Sequence, residues 1–293
     1  MNSANRQTLF AILVALLLAA ALAWAGSQGG AELAGVPLFA LAVALTFIIQ
    51  WIVFIPSYLG RTEHYFDLTG SLTYFSITLL ALWFSPRDGR SFLLAVAITI
   101  WALRLGSFLY QRVRNAGEDR RFKEIKQSFG RFLTTWTLQG LWVSITAGAA
   151  WTAMLSMGSV QLGWPAAVGA AIWVIGFCFE AIADFQKSQF RDLPENIEKF
   201  IQTGLWAWSR HPNYFGEVTL WLGVALIAFP ALSNWQYVTL ISPVFVFLLI
   251  TRISGVNLLE QSADEKWGGD PDYEAYKDRT PEFFPRQIGR AHV

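Results

Sequence analysis

The chain is poor in the residues that most often announce chemistry. Cysteine occurs once, at Cys178, which excludes an intramolecular disulfide and any cysteine-rich metal site. Because Cys178 lies inside an apolar run, the expectation is a small buried hydrophobe. Histidine occurs three times, at His64, His211 and His292, too few for the many imidazoles that a di-iron membrane desaturase or hydroxylase needs. Charged residues make up only 15% of the 293 residues, against about 25% in an average soluble domain. The net charge of +1 gives no basis for nucleic-acid binding.

What is abundant is apolar surface: 54% of the residues are hydrophobic, 15% are aromatic and the mean hydropathy is +0.39. Runs long enough to cross about 30 Å of hydrocarbon lie near 8–25, 36–56, 68–85, 91–111, 133–156, 163–186, 213–230 and 236–253. The first follows Arg6 like a signal peptide, but Leu9 to Ala25 outlasts a cleavable apolar core, so it counts as a span. Pro230 and Asn234 mark the turn between the last two. The fold class expected is therefore all-α: one polytopic bundle of about eight spans, with a tail over 254–293.

Lys and Arg accumulate on the cytoplasmic side of membrane proteins. With the N-terminus inside, 19 of the 22 basic residues fall on inner segments, counting Arg252 at the inner end of the last span, while Arg87 and Arg90 fall outside and Arg104 lies within a span. Both termini are then cytoplasmic, and the long charged segments 112–132, 187–212 and 254–293 make that face the working one. The last five residues, Gly289 to Val293, read as tail.

Charge inside a span is costly, by roughly 2.5–3.5 kcal/mol at a helix centre, and it tends to face a cavity or a partner. Arg104 sits about two turns from the inner end of its span, where it either snorkels to the interface or lines a polar pocket. Asp67 opens the third span; helix capping and the helix dipole favour a carboxylate there on their own. Tyr74, two turns on, shares its face. Glu180, Asp184, Lys187 and Arg191 are spaced four, three and four residues apart, so they project from one side of a helix. An ion-pair ladder accounts for the outer half. Glu180, deepest among Phe177, Phe179 and Ile182, points to a wet cleft.

The most informative stretch is Ser209 to Glu217, reading SRHPNYFGE. Pro212 suits the first turn of a helix, which puts Asn213 and Glu217 at i and i+4 on one face. Exposed amides at that helix start, beside Arg210 and His211, suit an anion such as a pyrophosphate; interfacial capping is the alternative. Arg210, His211, Pro212, Asn213, Tyr214, Gly216 and Glu217 resemble the signature of the membrane-embedded NADPH-dependent steroid 5α-reductases and sterol reductases. The likeness runs from Asp67 to Pro285 and is nearest to a bacterial branch known mostly as a domain of unknown function.

That resemblance implies an NADPH site built from Glu180, Asp184, Arg191, Lys199, Arg210, His211, Asn213, Tyr214, Glu217, Glu260, Tyr273, Tyr276 and Arg279, with Arg191 and Lys199 toward the phosphates. It implies no metal. The chain departs from the 5α-reductases where their asparagine is Glu180, where their Gln-Glu pair has only Asp67, and where their catalytic tyrosine falls near Trp101. The activity expected is reduction of an activated C=C bond in a lipophilic, steroid-like or isoprenoid substrate at the cytoplasmic face of a bacterial inner membrane. Asp67, Tyr74 and Arg104 are the candidates for the reacting end. Isoprenylcysteine carboxyl methyltransferases share Arg-His-Pro-x-Tyr and an acidic tail but use S-adenosylmethionine; they typically lack the Asn-x-x-x-Glu pair that Asn213 and Glu217 form here. A non-enzymatic lipid-binding scaffold is the third possibility.

Overall fold

Where no water can satisfy backbone amides, a chain this apolar must bond them within itself, and helices do so segment by segment. The computed structural model describes residues 3–116 and 122–286, so expectations placed on 117–121 and beyond 286 lie outside the described residues. The helices are α1 (Ser3–Ser27), α2 (Leu38–Leu59), α3 (Phe66–Phe84), α4 (Gly89–Ala116), α5 (Phe129–Met154), α6 (Trp164–Asp192), α7 (Pro212–Ala228), α8 (Ser242–Leu248), α9 (Val256–Trp267) and α10 (Pro271–Arg279). A two-residue hairpin, β1 (Glu32–Leu33) with β2 (Val36–Pro37), links α1 to α2. Its turn places Ala34 and Gly35 at φ of 51° and 79°, the left-handed pair that tight hairpins need.

The polytopic helical bundle read from the sequence is the fold observed. Six helical stretches among the described residues are long and apolar enough to cross a membrane: Asn5–Ser27, Leu38–Leu59, Gly89–Arg114, Trp164–Asp192, Pro212–Ala231 and Asn234–Trp267. The segments expected as spans near 68–85 and 133–156 are helical, as α3 and α5, but neither is among these six, because both carry more polar faces. The reason is their surroundings. A helix enclosed by other helices need not be apolar toward lipid, and nearly all of α5 from Gln139 to Met154 is buried. Its hydroxyls satisfy themselves on the preceding turn, Thr137 Oγ1 to Leu133 O and Ser144 Oγ to Gly140 O, both at 2.8 Å.

The chain forms two compact units. The first comprises residues 1–167 and 224–242 and centres on α5 against α1, α2 and α3. Its interior combines Phe132, Trp136 and Trp151 with polar cross-links between helices. Gln50 Nε2 donates to Thr73 Oγ1 at 2.9 Å, Trp151 Nε1 to Thr78 Oγ1 at 2.9 Å and Trp51 Nε1 to Thr137 Oγ1 at 3.1 Å. Such bonds join helices that gain little from apolar burial in lipid. Arg90, expected in an outer loop, is instead 2% exposed and donates to the carbonyls of Ile227 and of Gln161, the latter at 3.0 Å.

The second unit holds residues 168–223 and 243–293. Its last span is not one uniform helix: α8 passes into a π-helical turn at Leu249–Ser254, then Gly255, then α9. A Cβ at Gly255 would lie 2.5 Å from the Ile250 carbonyl oxygen, so glycine permits the close return. Cys178 is exposed rather than buried, correcting the expectation above. It lies on the side of α6 that also exposes Val174, Ile175, Ile182 and Phe185, the apolar surface a span offers to lipid.

Candidate active site

The second unit brings the signature motif to a seam between two helices. A Cβ on Gly216 would lie 2.5 Å from the amide nitrogen of Glu180 and 2.6 Å from the carbonyl oxygen of Gly176. One on Gly176 would lie 2.4 Å from Leu220 N, and one on Gly223 would lie 2.6 Å from Gly169 O. Helices α6 and α7 therefore meet backbone to backbone, as small residues allow. That contact carries the polar stripe of α6 against the start of α7. Asn213 Nδ2 donates to Asp184 Oδ1 at 3.0 Å. Glu180 lies one turn deeper on α6 and Glu217 one turn deeper on α7; Glu180 is 2% exposed and Asp184 is 6% exposed.

A second node sits immediately before α7. Phe215 N donates to His211 O at 3.1 Å, so α7 begins with His211 as its cap residue. Glu260, from α9, accepts from both neighbours of the motif: His211 Nε2 lies 2.7 Å from Oε1, and Arg210 Nη2 lies 3.0 Å from Oε2. Glu282 is a further carboxylate 3.7 Å from Arg210. Tyr214 lies parallel to the His211 ring, with centroids 5.8 Å apart. Burial holds the His211 imidazole below its ordinary value; the Glu260 hydrogen bond and charge pull the other way, while Lys187 and Arg210 add to the depression.

The segment before the motif is anchored by the C-terminal residues. Arg210 N donates to Pro281 O and Arg286 N to Trp208 O, both at 2.9 Å, while the Ser209 hydroxyl donates to Phe283 O at 2.9 Å. Phe283 and Phe284 pack on Phe215 and Phe247. Lys187 stands 4.3 Å from the Trp206 ring centre, and Trp206 Nε1 donates to Ala183 O at 3.0 Å. Trp206 and Glu282 carry no motif signal and were not singled out from the sequence.

The remaining expected cofactor residues are placed as follows. Arg191, Lys199 and Arg279 are exposed, and Arg279 Nη2 donates to Gln202 Oε1. Tyr273 and Tyr276 are buried, their hydroxyls given to Asp264 Oδ1 at 3.0 Å and to Trp206 O at 2.7 Å. Burial raises both phenols well above the ordinary range, and Asp264 reinforces the rise at Tyr273. The two rings pack around Phe200, and Trp267 joins them. As placed, both tyrosines knit α10 to the loop before α7.

The three residues expected at the reacting end belong to the first unit. Asp67 is 3.9 Å from Arg112. Tyr74 is buried edge-on to Trp101 with centroids 5.0 Å apart, so the position where the family tyrosine was expected is in ring contact with a tyrosine from α3. Arg104 lies 5.5 Å from the Phe108 ring centre. Among the described residues no group of three or more His, Cys, Asp or Glu is arranged to hold a metal ion.

An uncharacterized protein of Schizosaccharomyces pombe is 26% identical over 249 residues, covering 74% of this chain and 70% of that protein. The Delta(14)-sterol reductase of Saccharomyces cerevisiae is 42% identical over 73 residues, covering 22% of this chain but only 17% of the yeast protein. No solved structure matches. The model of the family described as "Protein of unknown function (DUF1295)", a family associated with steroid 5α-reductase-like proteins, matches residues 53–280. That span takes in every residue of the seam and all of the node but Glu282, and the chain belongs to the DUF1295 family.

Proposed function

We propose that the protein is a membrane-embedded, NADPH-dependent reductase of an activated C=C bond in a lipophilic substrate, working at the cytoplasmic face of a bacterial inner membrane. The observation that carries the reading is the Asn213 to Asp184 hydrogen bond across a glycine seam, beside the Arg210, His211 and Glu260 node. The short likeness to a sterol reductase points the same way. Deep polar pairs inside an apolar bundle are costly to keep, and a hydrated dinucleotide pocket accounts for them better than lipid packing does.

The residues present fit such a cofactor. Arg210 together with the exposed Arg191 and Lys199 offers cations for phosphates. His211 Nδ1, Asn213 and Asp184 offer the mixed acceptors and donors that a nucleotide's amide, amine and hydroxyl groups require. NADPH, when bound, supplies the hydride. The protein's part is to hold the ring and keep water out. At the reacting end a hydrogen bond is needed where negative charge develops on the substrate carbonyl, and Asp67, Tyr74 and Arg104 are the groups proposed for it.

Thermal shift in detergent with NADPH and, separately, S-adenosylmethionine tests the reading. A ligand at a hundred times its Kd stabilises by about 2.7 kcal/mol. A rise in midpoint with NADPH alone is expected; a rise with S-adenosylmethionine alone would transfer the site to a methyltransferase, and no shift with either would leave a lipid-binding scaffold.

A further inference from the structure

The two ring nitrogens of His211 have different surroundings. Nε2 faces Glu260 Oε1 at 2.7 Å, whereas Nδ1 is buried with no hydrogen-bond partner among the described residues. The side chain is only 6% exposed, so bulk water does not serve that nitrogen. Glu260 meets Arg210 Nη2 at 3.0 Å through its other oxygen, which makes it an acceptor at both ends. The proton between His211 and Glu260 therefore sits on Nε2, and the neutral ring carries its lone pair on Nδ1. Buried polar atoms are almost always satisfied, so an acceptor left open beside a candidate ligand site asks for a donor from the ligand. The residue is held in place, with Tyr214 parallel to the ring and the His211 backbone amide donating to the Ser209 hydroxyl at 3.1 Å. Lys187 and Arg210 are the cations around it and Glu260 the anion, an arrangement that with burial keeps the ring neutral and unable to donate from Nδ1.

We propose that His211 Nδ1 accepts a hydrogen bond from an amide or amine N–H of the bound dinucleotide, and that Glu260 is a positioning residue that keeps Nδ1 free of a proton. This rests on the cofactor reading above. Two parts of NADPH carry that chemistry, the carboxamide of the nicotinamide and the amino group of the adenine. The proposal assigns Glu260, expected from the sequence to bind the cofactor, an indirect role through His211.

The test measures dissociation constants of the detergent-solubilised full chain for three probes: NADPH, its reduced 3-acetylpyridine analogue, which lacks the carboxamide N–H, and its hypoxanthine analogue, which lacks the adenine amine. The wild type is expected to bind one analogue about 10-fold more weakly than NADPH, the loss that follows when a buried partner goes unpaired. Which analogue fails identifies the donor. His211→Phe keeps the flat ring but not the lone pair; it should weaken NADPH by the same factor and treat that analogue and NADPH alike. Equal binding of all three probes by the wild type, or discrimination surviving in His211→Phe, overturns the proposal while leaving the cofactor reading intact. Failure of the wild type to bind NADPH at all removes both. Nitrogen-15 NMR of histidine-labelled protein gives a second readout that does not depend on the phenylalanine variant folding. His211 should show protonated Nε2 and bare Nδ1 in the wild type, with the tautomer balance moving in Glu260→Gln. A proton on Nδ1 in the wild type would overturn the assignment.

Discussion

The glycine seam makes a quantitative prediction. In Gly216→Ala the new Cβ would sit 2.5 Å from Glu180 N, 2.6 Å from Gly176 O and 3.0 Å from Glu180 Cα. All three are backbone atoms of α6, so no side chain can swing aside to relieve the clash. Ordinary van der Waals contact requires the two helices to part by about 1 Å. That movement would stretch the Asn213 to Asp184 bond from 3.0 Å to about 4 Å, outside hydrogen-bond range. Overpacking costs about 1–3 kcal/mol and loss of a hydrogen bond to a charged group about 1.5–3 kcal/mol. The better helix propensity of alanine returns about 1 kcal/mol. The net is a destabilisation of about 1.5–5 kcal/mol, a fall in thermal midpoint on the order of 3–10 °C for a chain of this size, together with loss of NADPH binding. Gly148→Ala is the control. Its Cβ would approach nothing closer than 3.8 Å, the Cβ of Thr239, so the midpoint should hold or rise slightly. Differential scanning fluorimetry on both variants, followed by NADPH titration, checks the argument. Equal midpoints for Gly216→Ala and the wild type would refute the backbone contact on which the site geometry depends.

Three further outcomes are expected. Asn213→Ala should abolish NADPH binding while the detergent-stable fold persists by size exclusion; collapse would instead mean that Asn213 serves only to start α7. Asp67→Asn should leave the NADPH Kd unchanged within about twofold and slow turnover, and an unaltered rate would remove Asp67 from the reaction. Because burial lowers the His211 value in the folded protein from the ordinary 6.5, the unfolded chain takes up the proton first on acidification. The stability this contributes is present above pH 6.5 and is lost as pH falls from there toward the folded value. The midpoint should therefore drop below pH 6.5 in the wild type and drop less in His211→Phe, whereas a wild-type midpoint that rises on acidification would contradict the sign.

Long apolar runs separated by charge were enough to place the helices, because hydrophobic length is a local property. The polarity of α3 and α5 was less legible: the partners that Thr73, Thr78, Thr137 and Ser144 have on other helices meet them only when segments distant in sequence come together. Within the last span, nothing in the segment Leu249 to Ser254 signals a π-helical turn. The i, i+4 pair Asn213 and Glu217 and the stripe from Glu180 to Asp184 were visible as helical faces, and Gly216 was visible as a motif residue. Gly169 and Gly176, like Gly216 and Gly223, stand seven residues apart in the sequence, but that the two pairs meet each other is a tertiary fact. The family resemblance implied cofactor contacts at Tyr273 and Tyr276; what the sequence did not show is that burial against Phe200 gives their hydroxyls partners within the protein.

The pairing of Trp208, Ser209 and Arg210 with Pro281, Phe283 and Arg286 bears on biogenesis. A ribosome inserting this chain releases the motif helix well before the residues that tie down its entrance, and Glu260, the partner of His211, also emerges later. The proposed cofactor site can therefore be completed only after the residues up to Arg286 have been made, later than the motif helix itself. Premature termination just short of Pro281 would remove the bonds at Trp208, Ser209 and Arg210 while leaving the Glu260 contacts of Arg210 and His211.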